Sequence, residues 1–179
     1  SDNRVEVIKR YADHIAWWVS EPDNGKSDAF NKGFAHSRGK FLTWLNADDL
    51  LLPGTIKAVK HALESHHECS WATGNMVRFL HADGKIIEAP WGPNYLPKCL
   101  QGTGRQTIFF GPTTFWSREI YDAIGPIDES LHYAMDVDYW YRIDRAGYQQ
   151  IRVNHPCWGF RMPADSKTAE FGAHEKADK

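Results

Sequence analysis

Four groups of polar side chains are spaced so that they could share one chemistry. The first is Asn46-Ala47-Asp48-Asp49, which ends the apolar run Phe41-Leu42-Thr43-Trp44-Leu45 and precedes Pro53-Gly54. The second is Asp28, Asn31 and Lys32, which a helix would set on one side. Asp136 and Asp138 open a later helical pattern, and Arg161 with Lys167 lies near the end. Two adjacent carboxylates are costly to hold together unless a cation neutralises them. Hard oxygen donors such as Asp48 favour Mg²⁺ or Mn²⁺ over softer metals. A cation held by only one or two carboxylates completes its shell with water and ligand phosphates, so the chemistry indicated is that of a diphosphate substrate. Plainer readings stand beside each group. Asp48-Asp49 reads equally as a turn, Asp136 as a helix cap, and Asp138 with Arg142 as a surface pair four residues apart.

These side chains need a scaffold, and the hydrophobic pattern supplies one. Phe41 to Leu45 has apolar residues on both faces, as a central strand of a covered sheet requires. Asp48 and Asp49 would then sit at the carboxyl edge of an α/β sheet, where such sheets bind ligands. Before this strand the pattern predicts a helix over 3–13, a strand over 15–19, a turn at Glu21 to Gly25 and a helix over 26–37. After it, Ile56, Val59 and Leu63 are spaced for an amphipathic helix ending near His66. A hairpin is predicted with strands 71–80 and 85–89 around Ala82-Asp83-Gly84, then a long loop from Pro90 to Gly104. Helices over 117–124 and 136–146 and two strands, 150–153 and 158–161, complete the pattern. Helices alternate with strands early and mix later, which is an α/β chain with an irregular second half.

Composition narrows the classes further. A chain of 179 residues is one domain with a single continuous core, read as residues 1–172 followed by a polar tail, 173–179. Its formal charge of −2 offers no basic stripe for nucleic acid. Three widely spaced cysteines, Cys69, Cys99 and Cys157, argue against a disulfide framework or a zinc site and for a reducing, cytoplasmic compartment. No apolar run reaches a membrane-spanning length, and no Gly-rich phosphate loop or nucleophile elbow is present.

The order of the clusters resembles the family 2 glycosyltransferases, the inverting, nucleotide-sugar-dependent enzymes of the GT-A fold. Four segments carry the likeness: Ser20 to Gly33, Trp44 to Gly54, Thr114 to Gly125 and Leu131 to Arg142. A fifth, Phe160-Arg161 with Asp165 to Thr168, is similar to the family's closing segment. The resemblance implies a GT-A-type, Rossmann-like αβα sandwich around a mixed sheet. It implies that a first strand should lie before Ser1, so that the domain is partial at its N-terminus.

The resemblance also implies roles. Asn46-Ala47-Asp48 occupies the family's DxD position, with Asp48 as the metal ligand and Asn46 as a variant of the usual first acid. Asp28 and Asn31 match the segment that contacts the nucleotide, Arg161 of the closing segment is a further nucleotide-sugar-binding candidate, and Asp136 matches the general base. On the acceptor side the candidates are Trp116, Asp138 and Trp91. Sugar transfer with inversion from a nucleoside-diphosphate sugar, UDP being the nucleotide expected, would use Mn²⁺ or Mg²⁺. The acceptor would be a saccharide or lipid-linked saccharide in polysaccharide biosynthesis, at or near the inner face of the membrane. Two departures stand out: Met162-Pro163 follows Arg161 where the family carries a His, and Gly111-Pro112 replaces a Gln. A non-catalytic GT-A-like domain that binds nucleotide or saccharide, and a metal-dependent phosphoesterase, are the alternatives.

Overall fold

The computed structural model describes residues 3–80, 86–87, 113–132 and 134–161. Within them runs a mixed six-stranded sheet of order β1-β5-β3-β6-β2, with β4 paired to the end of β3. The strands are β1 (Phe41–Leu42), β2 (Leu50–Leu51), β3 (Cys69–Leu80), β4 (Ile86–Ile87), β5 (Thr114–Ser117) and β6 (Gln149–Arg161). β3 and β6 are parallel and all other pairings are antiparallel. The helices are α1 (Arg4–Arg10), α2 (Lys26–His36), α3 (Thr55–Ser65), α4 (Arg118–Ile124) and α5 (Met135–Arg145).

Period-two alternation in the central strands divides the core between two faces. Trp71 opposes Trp116 and Ala72 opposes Phe115 in the β3–β5 register. The tryptophans face α2, α4 and α5, joining Phe34, Leu42, Trp44, Ile120, Tyr139, Trp140 and Ile143 in one cluster. Ala72 and Phe115 face α3, where Val59 and Leu63 meet Val153 and Cys157. The result is the expected three-layer sandwich. α5 buries Met135, Tyr139, Trp140 and Ile143, the i, i+4, i+5, i+8 pattern of one helical face. In α3 Val59 and Leu63 turn inward as expected, whereas Ile56 lies on the solvent side, 57% exposed.

Three strand expectations change. The central strand expected over Phe41 to Leu45 is the two-residue β1, which lies at one edge of the sheet among the described residues and pairs with β5 alone. Residues 15–19 form no strand: Ile15, Trp17 and Val19 are exposed, and no strand among the described residues pairs with them. Trp17 instead stacks flat on His36, with ring centroids 3.9 Å apart. The two strands expected near the end are one, β6. Pro156 lies between the two expected spans; the register against β3 shifts on either side of Met76, Pro156's partner, and such an irregularity accommodates a proline that cannot donate to the ladder. Where this ladder bends, β3 and β6 come too close for a side chain. A Cβ on Gly74 would lie 2.6 Å from Cys157 Sγ. Burial pushes that thiol up to about 11. The turn at 81–85, the long loop, the Cys99 thiol and the polar tail lie outside the described residues. No helix among those described is long and apolar enough to cross a membrane.

Candidate functional site

The carboxyl end of β1 is where the expected site lies, and the ladder does little to hold it. β1 pairs with β5 only at Phe41 and Leu42. Beyond them Thr43 Oγ1 donates to Thr114 O at 2.9 Å, and the Trp44 side chain takes over. Its ring is stacked on Trp140 of α5 at 5.0 Å and 7°, stacked on Phe30 of α2 at 5.2 Å, and edge-on to Trp116 at 5.5 Å. One indole thus joins the strand end to the two helices that carry Asp28 and Asp136. Each such aromatic pair contributes about 0.5–1.5 kcal/mol beyond its buried area.

Two residues later the chain turns. Asp49 N donates to Asn46 O at 3.1 Å, closing the turn. Asp49 is buried at 5% exposure, and its carboxylate is fully engaged. Oδ2 accepts from Asn46 Nδ2 at 2.6 Å, and Oδ1 accepts from the Arg161 backbone N–H at 3.1 Å. Burial lifts the Asp49 carboxyl above its ordinary value, with the Asp48 charge adding to it; the hydrogen bonds from Asn46 and Arg161 oppose the rise. Asp48, by contrast, is exposed. The two adjacent acids have separate tasks, one clamped inside the turn and one presented outside it. Asn46 Oδ1 is shielded from solvent and has no hydrogen-bond partner among the described residues. An unsatisfied buried acceptor costs about 1–3 kcal/mol.

The chain after the turn is fixed from below. β2 pairs with Trp158 and Gly159, Leu52 N donates to Cys157 O at 3.0 Å, and Thr55 Oγ1 donates to the same carbonyl at 3.2 Å. His155 Nε2 lies 2.9 Å from Pro53 O. Gly54 has φ +84°, and a Cβ there would stand 3.1 Å from His155 Cε1. Gly54→Ala therefore meets both a left-handed backbone and a ring. We expect it to destabilise the chain by about 1–3 kcal/mol, read as a lower midpoint in urea. An unchanged midpoint would mean that neither the left-handed backbone nor the His155 ring costs an alanine stability at this position.

The remaining candidates divide sharply. Asp28 is buried in the first turn of α2, where Oδ2 accepts Asn24 N at 2.9 Å and pairs with Lys32 at 3.2 Å. The Asn24 N–H, then Lys32, hold its carboxyl below the ordinary value, against the effect of burial. Lys32 also reaches Glu21 at 2.9 Å, so the loop over 21–25 is tied down on α2. Asn31 spends both ends of its amide on the turn before α5: it donates to Ile127 O and Glu129 Oε1 and accepts from Ile127 N. Ser27 Oγ lies 3.0 Å from Met135 Sδ, which brings the amino-terminal turns of α2 and α5 together. Asp136 is half-buried in the first turn of α5, its Oδ1 accepting Val137 N at 2.9 Å.

Asp138 pairs with Arg142 at 3.1 Å, and Arg142 goes on to the carbonyls of Ile124 and Pro126. Its plainer reading as a structural pair therefore has direct geometric support. Trp116, expected on the acceptor side, is instead enclosed in the core at 0% exposure. A ring with no accessible face does not stack on a sugar. Trp91, Lys167, Met162-Pro163 and Gly111-Pro112 lie outside the described residues.

Sequence reasoning missed the organising part of Trp44 and the clamp made by Asp49. The available signal was position alone: an indole two residues before a polar turn, at the end of a strand.

Comparison with known proteins bears on the same stretch. The family profile described as "Glycosyl transferase family 2" matches residues 1–125. A protein of Rickettsia typhi described as an uncharacterized glycosyltransferase is 24% identical over 157 residues, 81% of this chain and 47% of that protein. One of Mycobacterium tuberculosis, described likewise, is 31% identical over 113 residues, 62% of this chain and 43% of its own length. The chain spans about half the length of the curated relatives it matches. Among solved structures, S. aureus TarS 1–349 in complex with UDP-GlcNAc superposes with a TM-score of 0.66 at 15% identity, over 94% of this chain and 49% of that one. Glucosyl-3-phosphoglycerate synthase from Mycobacterium tuberculosis in complex with phosphoglyceric acid gives 0.52 at 13% identity, over 98% and 62%. At these identities the likeness concerns the fold.

Proposed function

The chain belongs to glycosyltransferase family 2, and from that membership we propose that it transfers a sugar from a nucleoside-diphosphate sugar to an acceptor hydroxyl with inversion. UDP is the nucleotide proposed. The observation that carries the reading is the exposed Asp48, held on a clamped turn beside the indole that braces the helix of Asp136.

The residues of the turn fit a divalent cation shared with substrate. Asp48 offers a carboxylate and Asn46 an amide oxygen with no partner among the described residues, both hard donors. No three His, Cys, Asp or Glu side chains gather into a metal cage among the described residues. Mg²⁺ or Mn²⁺ bound here would draw its remaining ligands from water and the diphosphate, and would neutralise charge on the leaving group. In the proposed mechanism Asp136 takes the proton of the acceptor hydroxyl. The freed oxygen attacks the anomeric carbon from the face opposite the diphosphate, and the bond to the phosphate oxygen breaks as the new glycosidic bond forms. Asp28 and Arg161 are proposed to line the donor site, Asp28 through the loop it shapes. The free Cys69 and Cys157 suit a reducing compartment, so the proposed location is cytoplasmic, beside a membrane where lipid-linked acceptors are used.

Titration with UDP, with and without Mn²⁺, tests the reading. Ligand at a hundred times its Kd stabilises a protein by about 2.7 kcal/mol, several degrees of Tm at this length. We expect that rise only when cation and nucleotide are both present, and we expect Asp48→Ala to remove it without lowering the ligand-free Tm. A rise that survives Asp48→Ala would displace the cation from this turn. Asn31 spends its amide on internal bonds, so the donor site proposed here does without it. The alternative reading is a non-catalytic domain that binds nucleotide or saccharide. Donor hydrolysis separates the two, because only an enzyme releases nucleoside diphosphate.

A further inference from the structure

The Asn46–Asp49 pair contains an asymmetry that a turn alone does not need. Both carboxylate oxygens of Asp49 act as acceptors, one toward Asn46 Nδ2 and one toward the Arg161 N–H. Oδ2 takes its hydrogen bond from Asn46 at 2.6 Å, so the amide edge facing it is the NH₂ edge. The rotation of the Asn46 amide, ordinarily ambiguous, is therefore set by its neighbour. The oxygen is turned away, shielded from solvent and without a partner among the described residues. A buried acceptor kept in that state is one of the features that call for an explanation.

We propose that Asp49 is a positioning residue: it clips the end of β6 to the turn and fixes Asn46 so that Oδ1, not Nδ2, is the atom offered to the donor diphosphate and its cation. This rests on the nucleotide-sugar reading above and deepens it, because it gives the Asn of the turn a role that an acid would otherwise fill. Without a carboxylate at position 49 the amide can rotate and present N–H groups, which no cation accepts. The clip to Arg161 has a second consequence. The residue that ends β6 and the turn that carries Asp48 move as one unit, so an arginine proposed to line the donor site and an aspartate proposed to hold the cation keep a fixed spacing.

Three variants test this: Asp49→Asn, Asn46→Asp and the double reversal Asn46→Asp with Asp49→Asn. Asn46→Asp alone sets two carboxylates against each other across the turn, whereas the double reversal restores one donor edge facing one acceptor edge. Ligand-free Tm is read first. Each single change should lower it, and the double should recover most of the loss, the non-additivity expected of a directly bonded pair. UDP affinity in Mn²⁺ is read second, by calorimetry. Disturbing groups that orient metal ligands costs about 10- to 100-fold in affinity, and Asp49→Asn should lose on that order while the double regains most of it. Additive Tm losses would overturn the proposal. So would Asp49→Asn binding UDP as tightly as the parent chain, since the clamp would then be merely structural. If the parent chain itself binds no nucleoside diphosphate, the functional reading fails and this role falls with it. The ligand-free cycle would still report whether the pair exists, so the two failures are distinguishable.

Discussion

Asp136→Asn is expected to slow sugar transfer by about 10²- to 10⁴-fold, the usual contribution of a positioned base. The change is nearly isosteric. Asn keeps a side-chain oxygen that can accept the Val137 N–H, as Asp136 Oδ1 does at 2.9 Å, but it cannot take the acceptor's proton. The fold should be indifferent, because Asp136 is half-buried and its described bond is local. Stability should stay within about 0.5 kcal/mol of the parent chain. The loss should fall on kcat, with KM for the donor and Mn²⁺-dependent UDP binding unchanged, because the proton moves only in the transfer step.

Asp138 supplies the control. It sits two residues further along the same helix, yet it is paired with Arg142, which holds the carbonyls of Ile124 and Pro126. Asp138→Asn should cost the fraction of a kcal/mol typical of a partly exposed pair and leave the rate nearly intact. Near-full activity in Asp136→Asn would remove it from the base role. Equal losses in both variants would mean that the amino-terminal turn of α5 acts through its shape rather than through one proton acceptor.

The contrast between these two aspartates shows what the sequence could and could not say. Spacing four residues apart marked the Asp138–Arg142 pair correctly, because that geometry is local. α2, α3, α4 and α5 were legible for the same reason: periodicity and turn residues lie within one stretch, and Ser117 caps α4 as a cap should, accepting from Ile120 N. The β3–β4 hairpin also follows from alternation. What was not legible depends on partners far along the chain. Asn31 reads as a polar residue on a helix face, but its bonds reach Ile127 and Glu129 almost a hundred residues on. Asp49 reads as the spare of two acids, and its buried clamp depends on Arg161. Trp116 and Trp44 are the same residue type in stretches that both read as strand, but Trp116 lies inside β5 as a closed core residue whereas Trp44 lies beyond the end of β1 and braces the site. Residues 15–19 have strand-like composition, but a strand exists only where a neighbour completes its ladder.

The largest structural effect should come from Trp44→Ala. Replacing a buried Trp by Ala costs about 3–5 kcal/mol, and whole-domain stability is only about 5–15 kcal/mol. Trp44 should sit at the upper end of that range. It is 5% exposed, and its ring meets Phe30, Trp116 and Trp140 within 5.5 Å. Those partners come from α2, β5 and α5, so the cavity would open where three elements meet and could not close by moving one of them. Urea unfolding should show a midpoint lowered accordingly, and near-UV circular dichroism should lose the signal of the Trp44–Trp140 stack. Trp44→Phe keeps an aromatic face between Phe30 and Trp140 and should cost much less. The same variants bear on the site. β1 has ladder pairs only at Phe41 and Leu42, so the Trp44 ring is the main anchor between that ladder and the Asn46–Asp49 turn. At temperatures where Trp44→Ala is still folded, UDP binding in Mn²⁺ should weaken although no donor-binding residue has changed. A folded Trp44→Ala chain that binds UDP at full strength would show that the clamp at Asp49 holds the turn by itself.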